Sequence, residues 1–141
     1  MKVLLIVGLV ATSMAQPTWA TAATNPPNLK PGSPTSLIRK VEVQEFEKLC
    51  KDKQNVVLDV RTTKEFEAGH IPGAINLDVK QPDFDQKVSA LDKDKVHLVY
   101  CAAGVRSARA CERMSRLGFR HLVDLAPGFK EWEKEGKKVE K

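Results

Sequence analysis

One segment restricts the fold of this chain more than any other. Val96-His97-Leu98-Val99-Tyr100 is an apolar run of strand length. Cys101 follows it directly, then Ala102-Ala103-Gly104-Val105, then Arg106. From Ser107 to Leu117 the chain reads as a helix, with Cys111, Met114 and Leu117 at helical spacing and Gly118 as its stop. A strand, a tight loop and a helix in immediate succession require a sheet with that helix packed back on it. Such a turn points backbone N–H groups inward and sets the helix N-terminus beneath the cysteine. The positive helix end and Arg106 both favour a thiolate over a thiol at Cys101. The arrangement suits a sulfur nucleophile that handles negative charge.

Strand and helix patterns alternate through the rest of the chain. Ser36–Ile38 is a weak strand, Val43–Lys51 a helix and Val56–Val60 a strand buried on both faces. Thr63–Ala68 is a short helix ended by Gly69, and Ala74–Leu77 a short strand. Phe84–Leu91 is a helix, His121–Leu125 the last strand and Phe129–Lys134 a closing helix. This order predicts an α/β, three-layer sandwich with a mainly parallel central sheet flanked by helices. Ligands bind beyond the carboxyl ends of strands in such folds, which is where Cys101 falls.

At 141 residues the chain has room for one domain with a modest core. Residues 1–22 read as a signal peptide: Lys2 gives a positive start and Val3–Ala11 is apolar but too short to span a bilayer. Ala20-Thr21-Ala22 is the first cleavage site and Ser13-Met14-Ala15 the second option. Export predicts a periplasmic protein without stable membrane insertion after cleavage. Residues 23–35 carry Pro26, Pro27, Pro31 and Pro34 and read as a flexible leader. Residues 36–141 form the single domain. The net charge of +5 includes a basic tail at Lys137, Lys138 and Lys141, but no aromatic residues alternate with a basic stripe. A nucleic-acid partner is therefore not expected. A monomer is the default.

Arg106 opens a helix, where an acidic residue is preferred and a cation opposes the dipole. An anion beside it would remove that conflict. Gly104 is expected at positive φ, and Ala102, Ala103, Gly104 and Val105 act through their backbone N–H groups. Asp59 and Arg61 end a buried strand, either as a structural ion pair or as support for the active loop; the ion pair is the preferred reading. Three His and three Cys show no ligand spacing, so neither metal nor cofactor is expected. His70 is read as structural. Cys50 and Cys111 fall on apolar helix faces and read as core, although an oxidising compartment leaves a disulfide between them open. Trp132 is read as packing the closing helix onto the sheet.

Four segments, in order, resemble the rhodanese family across roughly residues 36–141. They are Leu58-Asp59-Val60-Arg61, Gly69-His70-Ile71-Pro72-Gly73-Ala74-Ile75-Asn76-Leu77, Cys101-Ala102-Ala103-Gly104-Val105-Arg106-Ser107 and Pro127-Gly128-Phe129-Lys130-Glu131-Trp132. The family usually carries two glycines where this chain has Pro127-Gly128. The resemblance is to the small exported single-domain forms. It implies a thiosulfate sulfurtransferase: Cys101 takes a sulfane sulfur from a thiosulfate-like anion and passes it, as a persulfide, to cyanide or a thiol. Ala102, Ala103, Gly104, Val105, Arg106 and Ser107 would bind the substrate, Asp59 and Arg61 would support the loop, and no cofactor is implied. Phosphatases and arsenate reductases of the same fold use a cysteine-to-arginine loop one residue longer, wide enough for a tetrahedral oxyanion. The shorter loop here favours sulfur transfer. A persulfide carrier with little turnover of its own is the alternative.

Overall fold

The computed structural model describes residues 36–141; the signal peptide and leader read at 1–35 lie outside the described residues. Five strands form one sheet: β1 (Leu37–Val41), β2 (Val56–Asp59), β3 (Ile75–Asn76), β4 (Val96–Tyr100) and β5 (His121–Leu125). Their order is β1-β5-β4-β2-β3, and every pairing is parallel. The five helices are α1 (Val43–Cys50), α2 (Thr63–Ala68), α3 (Phe84–Val88), α4 (Val105–Arg116) and α5 (Gly128–Lys134).

The central strands alternate side chains between two buried faces. Val57, Leu98, Tyr100, Val123 and Leu125 point to one face, against Phe46 of α1 and Phe129 and Trp132 of α5. Leu58, Val99 and Leu122 point to the other, against Phe84 of α3 and Ala110, Cys111 and Met114 of α4. Two cores on one sheet make the three layers that the alternating pattern predicts.

Three boundaries differ from the sequence reading by two residues or more. The first strand runs to Val41 rather than stopping at Ile38. It is the sheet's edge, with Leu37 to Lys40 exposed, so Arg39 and Lys40 are tolerated there. Helix α4 starts at Val105, two residues early, because Gly104 at φ 91° turns the chain and serves as its N-cap. Helix α3 ends at Val88 instead of Leu91.

Candidate active site

Cys101 stands at the carboxyl end of β4, a central strand, and is 1% exposed. The Gly104 N–H donates to Cys101 Sγ over 3.1 Å. Gly104 has the positive φ expected of it, and a Cβ there would collide with the Ala126 carbonyl. The loop's own carbonyls are turned away from the sulfur. Phe129 N–H donates to Cys101 O at 2.8 Å and Lys130 N–H to Ala102 O at 3.1 Å. These donors belong to the first turn of α5, whose N–H groups have no partner within the helix. The start of α5 thus clamps the outer side of the loop. Ala103 and Val105 lie exposed on the rim.

Ser107 is fully buried under the sulfur, with its Oγ 3.5 Å from Cys101 Sγ and donating to Gly104 O at 3.2 Å. A shallow groove flanks the loop, lined by Arg61, Glu65, Gly69, Ala102, Phe129 and Lys130 among others.

Arg106 is not a free cation. Its two terminal nitrogens donate to the two carboxylate oxygens of Glu65, each at 2.8 Å. The anion that the start of α4 calls for is therefore supplied from within the chain. Glu65 is also half of a capping box: it accepts from Thr62 N–H, while Thr62 Oγ1 accepts from Glu65 N–H. The hydrogen bonds from Arg106, with those of Thr62, hold the Glu65 carboxyl down at about 2. Glu65 was missed as a site residue from sequence. The Thr-x-x-Glu spacing marks it as a cap, but nothing local connects it to an arginine forty-one positions on.

Asp59 and Arg61 form a buried ion pair, with Arg61 Nη2 2.7 Å from Asp59 Oδ2. Arg61 also donates to Gly69 O at 2.7 Å and lies 4.1 Å from the centre of the Phe129 ring. The ion pair is present, and Arg61 also backs Phe129, whose N–H holds Cys101 O. His70 stacks on Phe66 and is held by Phe66 O, and Trp132 packs edge-on against Phe46. Both roles are structural. The disulfide left open between Cys50 and Cys111 is not formed. Cys111 lies in the core shared with α4 and Cys50 packs against the core on the opposite face, so the sheet separates them.

Asp124 was the second omission. It is 1% exposed, on the same sheet face as Leu122, and its Oδ1 has no hydrogen-bond partner. The sequence signal was a lone carboxylate inside the apolar run His121–Leu125. Among the described residues, no three His, Cys, Asp or Glu side chains gather as metal ligands.

The structure thus places a cradled cysteine at the carboxyl edge of a parallel sheet, one short loop ahead of an arginine. The rhodanese-like domain model matches residues 42–135, and the chain belongs to that family. It is 34% identical over 91 residues to the candidate sulfurtransferase YtwF of Bacillus subtilis, covering 64% of this chain and 85% of that one. It is 28% identical over 98 residues to the candidate sulfur carrier protein YrkF of the same organism, covering 69% of this chain and 52% of that one. A tRNA uridine(34) hydroxylase of Legionella pneumophila is 32% identical over 90 residues, which span 61% of this chain but 35% of the hydroxylase. The chain thus matches about half or less of two of these three relatives. Among solved structures, a rhodanese-related protein from Thermoplasma volcanium superposes with a TM-score of 0.65 at 34% identity, covering 72% of this chain and 97% of that one. Sulfur transfer is the general chemistry these similarities support.

Proposed function

We propose that this domain is a sulfurtransferase that carries sulfane sulfur on Cys101, from thiosulfate or a similar donor to cyanide or a thiol. The Cys101 thiolate attacks the outer sulfur of the donor. The S–S bond of thiosulfate breaks and sulfite leaves with its electron pair. The acceptor then attacks the outer sulfur, the bond to Sγ breaks and the thiolate is restored. This is covalent catalysis in two half-reactions. The observation that carries the reading is the cradle itself. A Gly104 N–H is aimed at the sulfur, and α5 holds the neighbouring carbonyls away from it. A donor aimed at an anionic sulfur stabilises both thiolate and persulfide. The exported, monomeric protein read from the sequence is the setting we propose for this activity.

Pairing of Arg106 with Glu65 favours a second reading of the donor. A guanidinium already neutralised by a carboxylate attracts a dianion less than a free one does, so an uncharged persulfide or a partner protein's persulfide becomes a competitive source. That is the chemistry of a carrier. Intact mass spectrometry after incubation with thiosulfate, followed by thiocyanate release on adding cyanide, tests both. Gain of one sulfur atom with rapid turnover supports the enzyme, and a stable persulfide with negligible turnover supports the carrier. No sulfur gain from any sulfane donor overturns both.

A further inference from the structure

We infer that the groove beside the cysteine loop receives the sulfur acceptor, and that Lys130 and Glu133 select a small zwitterionic thiol, one that carries an ammonium and a carboxylate as an amino-acid thiol does. The inference rests on Cys101 being the sulfur carrier of the proposed transfer. The groove has a volume of about 240 Å³. Sites for drug-sized ligands run to about 300–1,000 Å³, so a smaller molecule suits this one. Ala102, the residue after Cys101, lines it together with Ala68 and Phe129. A molecule seated there lies against the nucleophile's own loop.

Four charged side chains line the same groove: Arg61, Glu65, Lys130 and Glu133. Two of them are already satisfied. Arg61 is paired with Asp59, and Glu65 takes both terminal nitrogens of Arg106. The other two are exposed and enter no ion pair among the described residues. Both belong to α5, where Glu131 and Lys134 pair with each other instead. Residues three apart on a helix are surface neighbours, so the groove offers one cation and one anion side by side. The Lys130 N–H holds Ala102 O at 3.1 Å, which ties this part of the helix to the loop. A dianion gains from Lys130 but is opposed by Glu133 and Glu65. A thiol without charges gains from neither. A zwitterion meets both, with its carboxylate toward Lys130 and its ammonium toward Glu133.

The transfer balances. The acceptor gives its thiol proton to water and reacts as a thiolate. Its sulfur bonds the outer sulfur of the Cys101 persulfide. The bond from that outer sulfur to Sγ breaks, and Sγ keeps the electron pair. A proton on the outer sulfur travels with it. The acceptor departs as a persulfide and Cys101 is again a thiolate, with no outside oxidant or reductant.

The test loads the full chain with sulfur from thiosulfate or inorganic polysulfide and checks the gain by intact mass. Discharge is then timed by rapid quench with cysteine, N-acetylcysteine, cysteamine and mercaptoethanol at equal thiolate concentration. N-acetylcysteine lacks the ammonium, cysteamine the carboxylate and mercaptoethanol both. Each rate is divided by the same thiol's rate with a small-molecule disulfide, which removes differences in nucleophilicity. Cysteine should lead each singly charged thiol by about threefold or more. Glu133→Gln should erase its lead over N-acetylcysteine, and Lys130→Gln its lead over cysteamine. A purely structural role would slow all the thiols by one factor. That result, a parent with no lead for cysteine, or a lead that survives its substitution overturns the inference, while the sulfur gain leaves the proposed function standing. A parent that gains no sulfur from any sulfane donor sinks the proposed function and this inference together.

Discussion

Gly128 sits directly against the Ala102 peptide: a Cβ built on it would stand 2.6 Å from Ala102 C and 2.6 Å from Ala103 N. Its φ is 76°, which a side chain tolerates poorly. The turn after β5 therefore closes on the cysteine loop with backbone against backbone. Pro127, where the family usually has a glycine, takes φ −77° and ψ −14°, well inside proline's range. Of this pair, Gly128 is the position where no substitute fits.

Gly128→Ala should destabilise the domain by about 2–4 kcal/mol, since backbone strain of about 1–3 kcal/mol is joined by an overlap that must displace the loop. Gly73→Ala is the control. Gly73 has a similar φ of 77°, but nothing lies within 4 Å of its Cβ position. Urea denaturation of the two variants separates strain from collision. Equal losses would mean that the close approach to Ala102 costs nothing.

Glu65→Gln removes the anion that neutralises Arg106. Thiosulfate use should improve, with KM falling about threefold or more, while an uncharged persulfide donor should be little affected. Arg106→Ala should do the reverse and weaken thiosulfate use selectively. Steady-state kinetics with both donors decides, and parallel changes on the two would remove Arg106 from any electrostatic role.

The same carboxylate sets a pH signature. Its value in the fold is about 2 against an ordinary 4.5, so its stabilising effect is fully present above about pH 4.5 and is lost as pH falls toward 2. Glu65 is partly exposed, which limits the effect to about 1 kcal/mol or less. Thermal melts of parent and Glu65→Gln should differ at pH 6 and converge near pH 2. A constant gap across that range would contradict the pairing.

Asp59→Asn should cost about 3–5 kcal/mol, because it leaves the Arg61 guanidinium buried without its counter-charge. Loss of sulfur loading should follow, since Arg61 backs Phe129, whose N–H holds Cys101 O. Unaltered stability by denaturant titration would show that Arg61 is satisfied by Gly69 O alone.

Thiol chemistry should single out one cysteine in the native protein. Burial pushes the Cys50 thiol up to about 12 and the Cys111 thiol higher still. Native alkylation at neutral pH should modify Cys101, denaturation should reveal three thiols, and Cys101→Ser should abolish sulfur loading while the fold stays intact. Fewer than three thiols under non-reducing denaturation would reveal a bridge that the separation of Cys50 from Cys111 by the sheet argues against.

Local patterns carried most of the fold. Val96–Tyr100 and His121–Leu125 are apolar enough to be read as buried strands, and both match their observed bounds. Boundaries slipped where the outcome depends on distant structure. Arg39 and Lys40 look like strand-ending residues until β1 is known to be an edge. The site was legible where chemistry is local to one loop, as at Cys101 and Gly104. It was not legible where partners come from separate segments, as when Glu65 meets Arg106. Such pairings arise from the parallel topology, which brings separate strand ends to one edge.

That topology has a geometric outcome for how the domain can be tethered. All five strands point the same way, and Leu37 enters β1 beside His121, at the starting ends of the strands. Cys101 opens at the finishing ends. Leu37 and Cys101 therefore stand at opposite edges of the sheet. A copy that starts at Ser36 and is immobilised through that residue would present its sulfur outward to partners as bulky as another folded protein.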